Sequence, residues 1–133
     1  LPGMLARGYG RIVMVSSVTG PLVTTPGSTG YSTAKAAVDG MMRALAHDCA
    51  RAGVTANSVQ PGWIATASST ENELTAGRST PVGRAGRADE VAAAVAFLAC
   101  EEAGYVFFKA RCYGPVWNSR RKPPPTSAPP DFQ

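Results

Sequence analysis

The chain has 133 residues, with 13 Lys and Arg against 9 Asp and Glu, a formal charge of +4 and a pI near 9.3. An apolar share of 44% with 17% charged residues excludes a disordered polymer and fits a single globular domain. No apolar run approaches the roughly 20 residues that a membrane-spanning helix needs, and Leu1-Pro2-Gly3-Met4 lacks the basic flank and apolar stretch of a signal peptide.

Residues 11–16 form a short apolar run rich in β-branched side chains, the pattern of a strand buried on both faces in a parallel sheet. Gly20, Pro21, Pro26, Gly27 and Gly30 make 17–30 a loop. Over 31–52 the pattern is helical: Ala34, Ala37, Val38, Met41, Leu45 and Cys49 recur at three- and four-residue spacing, and Gly53 is placed to end the helix. Residues 54–59 read as a second strand, stopped by Pro61-Gly62. The segment 66–88 is polar and irregular, with a short helix expected near 68–76. Residues 89–100 are a strong helix, with Val91, Val95, Phe97 and Leu98 on its buried side and Asp89-Glu90 suited to its N-terminal dipole. This order argues an α/β sheet built from right-handed crossovers. Two strands do not make an independently stable sheet, so the expectation is part of a layered fold.

The charge excess is confined to one end. Residues 1–106 hold eight bases and eight acids. Residues 107–133 hold Lys109, Arg111, Arg120, Arg121 and Lys122 against Asp131 alone, with six of the eleven prolines. A basic, Pro-rich and disordered tail is expected there. Arg120-Arg121-Lys122 is short of the usual basic cluster and reads as a solvated end, so no nucleic-acid partner is expected. The prolines never stand three apart, which excludes a P-x-x-P ligand. Cys49, Cys100 and Cys112 form no C-x-x-C, so neither a disulfide framework nor a metal site is expected, and a reducing, cytoplasmic setting is the default. Cys49 and Cys100 read as core, and packing is expected of Trp63. With His47 the single histidine, a Ser–His or Cys–His nucleophile pair has little support.

Tyr31 and Lys35 stand four apart at the start of the helix, on one face and one turn apart. A free phenol has a pKa of about 10. A neighbouring ammonium favours the phenolate and can bring that value down by about 1–3 units, towards the range where general acid–base catalysis works. Ser17 lies fourteen residues earlier, at the C-terminal end of the first strand, where open parallel sheets bind ligands. The second strand also ends in Pro61-Gly62, and a Pro-Gly turn at that edge lets backbone approach a ligand closely. Each feature alone is ordinary; their order on these elements is specific.

Gly10-Arg11-Ile12-Val13-Met14-Val15-Ser16-Ser17, Tyr31-Ser32-Thr33-Ala34-Lys35-Ala36-Ala37 and Asn57-Ser58-Val59-Gln60-Pro61-Gly62 resemble the short-chain dehydrogenase/reductases. So do Pro81-Val82-Gly83-Arg84-Ala85-Gly86-Arg87, Asp89-Glu90-Val91 and Phe97-Leu98-Ala99, and the best match is the 3-oxoacyl-(acyl-carrier-protein) reductase-like branch. The resemblance covers about residues 8–106. It implies the C-terminal half of a Rossmann-like, doubly wound parallel sheet. It implies hydride transfer between NAD or NADP, with NADP favoured, and a small carbonyl or secondary alcohol. Tyr31 would be the general acid and base. Lys35 would hold the nicotinamide ribose and tune Tyr31. Ser17 would orient the substrate oxygen. Pro61, Gly62, Ile64 and Thr66, with Tyr31 and Lys35, would line the cofactor. The family implies a homodimer or homotetramer and no membrane partner.

Two departures qualify this. The family's opening strand, its T-G-x-x-x-G-x-G pyrophosphate loop, its N-N-A-G segment and its helical Asn have no counterpart here. Gly27-Ser28-Thr29-Gly30 follows no strand and does not substitute. Beyond Val106, Phe107-Phe108-Lys109-Ala110-Arg111-Cys112 stands where the family continues with T-G-x-x-x-x-V-D-G-G. Together with the missing Met at position 1, these departures raise an alternative. The chain would then be a non-catalytic, truncated or frameshifted piece that binds no cofactor.

Overall fold

The structure, a computed structural model, describes residues 1–107 and the backbone of 110–111. A short helix α1 (Pro2–Ala6) opens with Pro at its first position, where a missing N–H costs nothing. β1 (Gly10–Val15) leads through a long loop to α2 (Thr29–Cys49), and a 3-10 turn (Ala50–Ala52) continues α2 to Gly53. Gly53 has φ 71°, and a Cβ there would run into the Gly8 carbonyl, so glycine is required where the chain reverses. β2 (Val54–Gln60) then pairs in parallel with β1, Gly10 opposite Val54 and Val15 opposite Val59. The expected strand–helix–strand crossover is therefore present, within a residue or two at each boundary.

Two residues, β5 (Ala110–Arg111), pair in parallel with Val59 and Gln60 on the other side, giving the order β1-β2-β5. β2 is thus central. The rest of the expected tail lies outside the described residues.

A second small sheet joins the residues just before the segment read as irregular to that segment's end. β3 (Ile64–Ala65) pairs in parallel with β4 (Gly86–Arg87), which runs directly into α4 (Ala88–Ala99). Between them α3 occupies Glu71–Arg78 rather than 68–76. Thr70 sets that start: its hydroxyl accepts from the Glu73 N–H at 3.4 Å, and the Glu73 carboxylate accepts from the Thr70 N–H at 2.8 Å.

Burial corrects two faces. On α2 the buried apolar residues are Met42, Ala46 and Cys49, with Val38 and Leu45 half-buried, while Ala34, Ala37 and Met41 are exposed. Met42, Ala46 and Ala56 form the core cluster, flanked by Ile12, Val38, Leu45 and Phe107. On α4 Leu98 is buried and Phe97 is 55% exposed, because neighbouring positions on a helix lie about 100° apart and only one can face the sheet. Cys49 is core as expected, but Cys100 is half-buried and Trp63 is exposed. Among the described residues no helix is long and apolar enough to cross a membrane, and no group of three His, Cys, Asp or Glu is placed to hold a metal.

Candidate active site

The two long strands, β1 and β2, deliver their C-terminal ends to one place. Beyond β1 the chain keeps pairing with β2: the Ser16 N–H donates to the Val59 carbonyl at 2.8 Å, and the Val18 N–H to the Pro61 carbonyl at 3.1 Å. Ser17 is held between these bonds, beside the Pro61-Gly62 turn. It is nearly buried, at 9% exposure, and its hydroxyl oxygen accepts the Thr19 N–H at 3.1 Å.

α2 is tied to the end of β1 by a reciprocal pair of bonds. The Lys35 ammonium donates to the Val15 carbonyl at 3.0 Å, and the Ser16 hydroxyl donates to the Lys35 carbonyl at 3.0 Å. Lys35 Nζ stands 5.6 Å from the centroid of the Tyr31 ring. Tyr31 is 52% exposed, open to a ligand rather than packed. Gly20 is the close approach on this side. Its φ is 108°, and a Cβ would collide with the Ser32 carbonyl, so glycine lets the loop after Ser17 lie against the first turn of α2.

Pro61 is buried and Gly62 half-buried; Ile64 is half-buried and Thr66 exposed. Ile64 is held in β3 by β4. The Thr66 N–H donates to the Ser69 hydroxyl at 2.9 Å, and Ser69 donates to the Ile64 carbonyl at 3.1 Å, which clasps the strand end. β4 is anchored in turn at α4. The Arg87 N–H donates to the Glu90 carboxylate at 2.7 Å, and Arg84 grips the same carboxylate through two bonds of 2.8 and 2.6 Å. The Arg84 hydrogen bond, then the Arg87 N–H, holds the Glu90 carboxyl down at about 2.

The structure therefore gathers Ser17, Tyr31 and Lys35 around the ends of β1 and β2, with Pro61 and Gly62 directly after β2 and Ile64 and Thr66 one short strand further. The family model described as enoyl-(acyl carrier protein) reductase matches residues 1–108. The chain belongs to the short-chain dehydrogenase/reductase family. It is 45% identical over 109 residues to nodulation protein G of Azospirillum brasilense, covering 79% of this chain and 44% of that protein. It is 44% identical over 111 residues to the 3-oxoacyl-(acyl-carrier-protein) reductase FabG of Haemophilus influenzae, covering 80% and 45%. Among solved structures, acetoin dehydrogenase YohF from Salmonella typhimurium superposes with a TM-score of 0.70 at 30% identity, covering 81% of this chain and 43% of that one. The short-chain dehydrogenase/reductase fold is present as a partial Rossmann-like α/β layer, and the chain spans less than half the length of these relatives.

Sequence reasoning overlooked three residues at this site. Ser16 stands in the quoted motif without a role, yet it ties β1 to α2. Asp39 and Gln60 are buried and hydrogen-bonded to each other, although both fall in stretches read for their apolar residues. Their signal is available in hindsight. Asp39 continues the Tyr31, Lys35 spacing by another four residues, and Gln60 is a polar residue just before the Pro-Gly stop.

Proposed function

We propose that this chain carries the catalytic and nicotinamide-binding side of an oxidoreductase that interconverts a small carbonyl compound and its secondary alcohol. The observation that carries the reading is the tether of Lys35 to the end of β1 with its ammonium near the exposed Tyr31 ring. The donor set suits a nicotinamide dinucleotide. An ammonium and a phenol match ribose hydroxyls, and a Pro-Gly turn with an adjacent hydroxyl, Thr66, matches the nicotinamide side of the molecule. When bound, the cofactor supplies or accepts the hydride.

The chain's own residues handle the oxygen and its proton. Tyr31 donates its phenolic proton to the carbonyl oxygen in reduction and takes it back in oxidation. Lys35 places positive charge beside Tyr31 and offers its remaining N–H bonds to the ribose. Ser17, whose oxygen already accepts from Thr19, has its O–H to offer the substrate oxygen and holds it towards Tyr31. Pro61 and Gly62 let the cofactor lie against the strand end, and Ile64 and Thr66 flank it. NADP is the favoured dinucleotide, the assembly a homodimer or homotetramer, and the setting the cytoplasm, consistent with the free thiols of Cys49 and Cys100.

Tyr31→Phe tests the mechanism. In a polypeptide that completes the fold, turnover with NADPH and a carbonyl substrate falls by about 10²–10⁴-fold. Wild-type turnover in that variant overturns the assignment. The second reading is a piece without catalytic activity. Titrating NADPH into the 133-residue chain separates the two. Saturable micromolar binding supports the enzyme, and no binding supports the inactive piece.

A further inference from the structure

We propose that the buried Asp39–Gln60 pair is a positioning device that sets where the Pro61-Gly62 turn stands relative to Tyr31 and Lys35. The inference rests on the oxidoreductase reading above. Asp39 is 2% exposed and Gln60 is fully buried, and the Gln60 side-chain amide donates to the Asp39 carboxylate. Asp39 lies one turn beyond Lys35 and two beyond Tyr31, so the three side chains follow one another along the same stripe of α2. Gln60 is the last residue of β2 and is joined directly to Pro61.

The energetics argue against a purely stabilising role. Taking a carboxylate and an amide out of water is costly, and hydrogen bonding offsets that cost only in part. The oxygen of the Gln60 side-chain amide is buried without a hydrogen-bond partner among the described residues. Two apolar side chains of similar size would hold α2 on β2 at least as firmly. A hydrogen bond adds direction, which apolar contact lacks. The neighbouring core contacts of Met42 and Ala46 with Ala56 resist separation of helix and strand but not a small slide between them. The end of β1 already has directional ties to α2, through Ser16, Lys35 and Val15. Asp39–Gln60 gives the end of β2 its own. Both arms of the site are then referred to the same two turns of helix, and productive geometry depends on such placement.

The test is amide hydrogen exchange on the purified chain, with residues 62–66 compared against 54–58. The double variant Asp39→Leu/Gln60→Met replaces both polar partners by apolar ones and is expected to fold. Its amides at 62–66 exchange at least about tenfold faster, while those at 54–58 change by less than about threefold. Asp39→Asn keeps an acceptor for the Gln60 amide and leaves both segments within about threefold of wild type. Unchanged exchange at 62–66 in the double variant overturns the proposal. So does equal acceleration of both segments, which marks the pair as a stability element only, and so does an Asn variant that behaves like the double variant. NADPH titration is the second arm. Where wild type binds, the double variant binds at least about tenfold more weakly, and an unchanged affinity overturns the positioning role. A wild-type chain that binds no NADPH counts against the oxidoreductase reading, and the exchange result then decides the pair alone.

Discussion

Strands β1 and β2 run in register from Gly10 opposite Val54 to Val15 opposite Val59, yet they meet water differently. β2 buries all seven of its residues, including Thr55, Asn57, Ser58 and Gln60. In β1, Met14 and Val15 are 37% and 49% exposed. The more polar strand is the better buried one. β2 has a strand on each side and helices packed against it, whereas among the described residues β1 is paired on one side only. Position in the sheet, not side-chain hydropathy, sets burial here. The polar groups of β2 are tolerated where they find work: Asn57 donates to the Val106 carbonyl at 2.9 Å, and Gln60 to Asp39.

The sharpest break of this comparison places a charge on each strand. Val59→Asp, at a fully buried position, should cost about 4 kcal/mol or more and leave the chain unfolded in urea titration. Val15→Lys should change stability by less than about 1 kcal/mol, because the side chain it replaces is already 49% exposed. Equal losses from the two would show that β1 is as enclosed as β2. The same contrast applies across α4. Leu98→Ala should cost about 2–5 kcal/mol, while Phe97→Ala should cost less than about 1 kcal/mol. Gly53→Ala comes next, at about 1–2 kcal/mol for the left-handed backbone alone, and more from the clash with Gly8.

The smallest expected effect lies at the far anchor of β4. Glu90 is held at about 2, below its ordinary 4.5, chiefly by Arg84. A lowered carboxyl contributes stability that is complete above 4.5 and lost as pH falls towards 2. Glu90→Gln should therefore lower the thermal midpoint slightly at pH 7 and leave it unchanged near pH 2. A constant difference across that range would place the residue's contribution in packing rather than charge.

Much of the fold is local chemistry and so was legible. Gly53 ends a helix because few other residues tolerate its φ, and Pro61-Gly62 ends a strand because Pro cannot donate to a ladder. The Tyr31–Lys35 spacing needs nothing but a helix to bring the pair onto one face. The β3–β4 pairing was hidden because two-residue strands twenty residues apart carry no periodicity. Thr70 moved α3 because a capping box depends on side-chain bonds that a hydropathy pattern does not register.

By itself, then, the sequence determined the crossover, its family and the placing of Tyr31 and Lys35 on one face of α2, since these depend on short-range geometry and motif order. Tertiary structure alone decided that Phe97 faces water while Leu98 does not, that the Asp39 carboxylate is buried between α2 and β2, and that β2 rather than β1 is the enclosed strand. Those outcomes depend on which surfaces meet across the sheet. A side chain's neighbours in space, which its neighbours in sequence do not specify, set whether burying it costs or gains free energy.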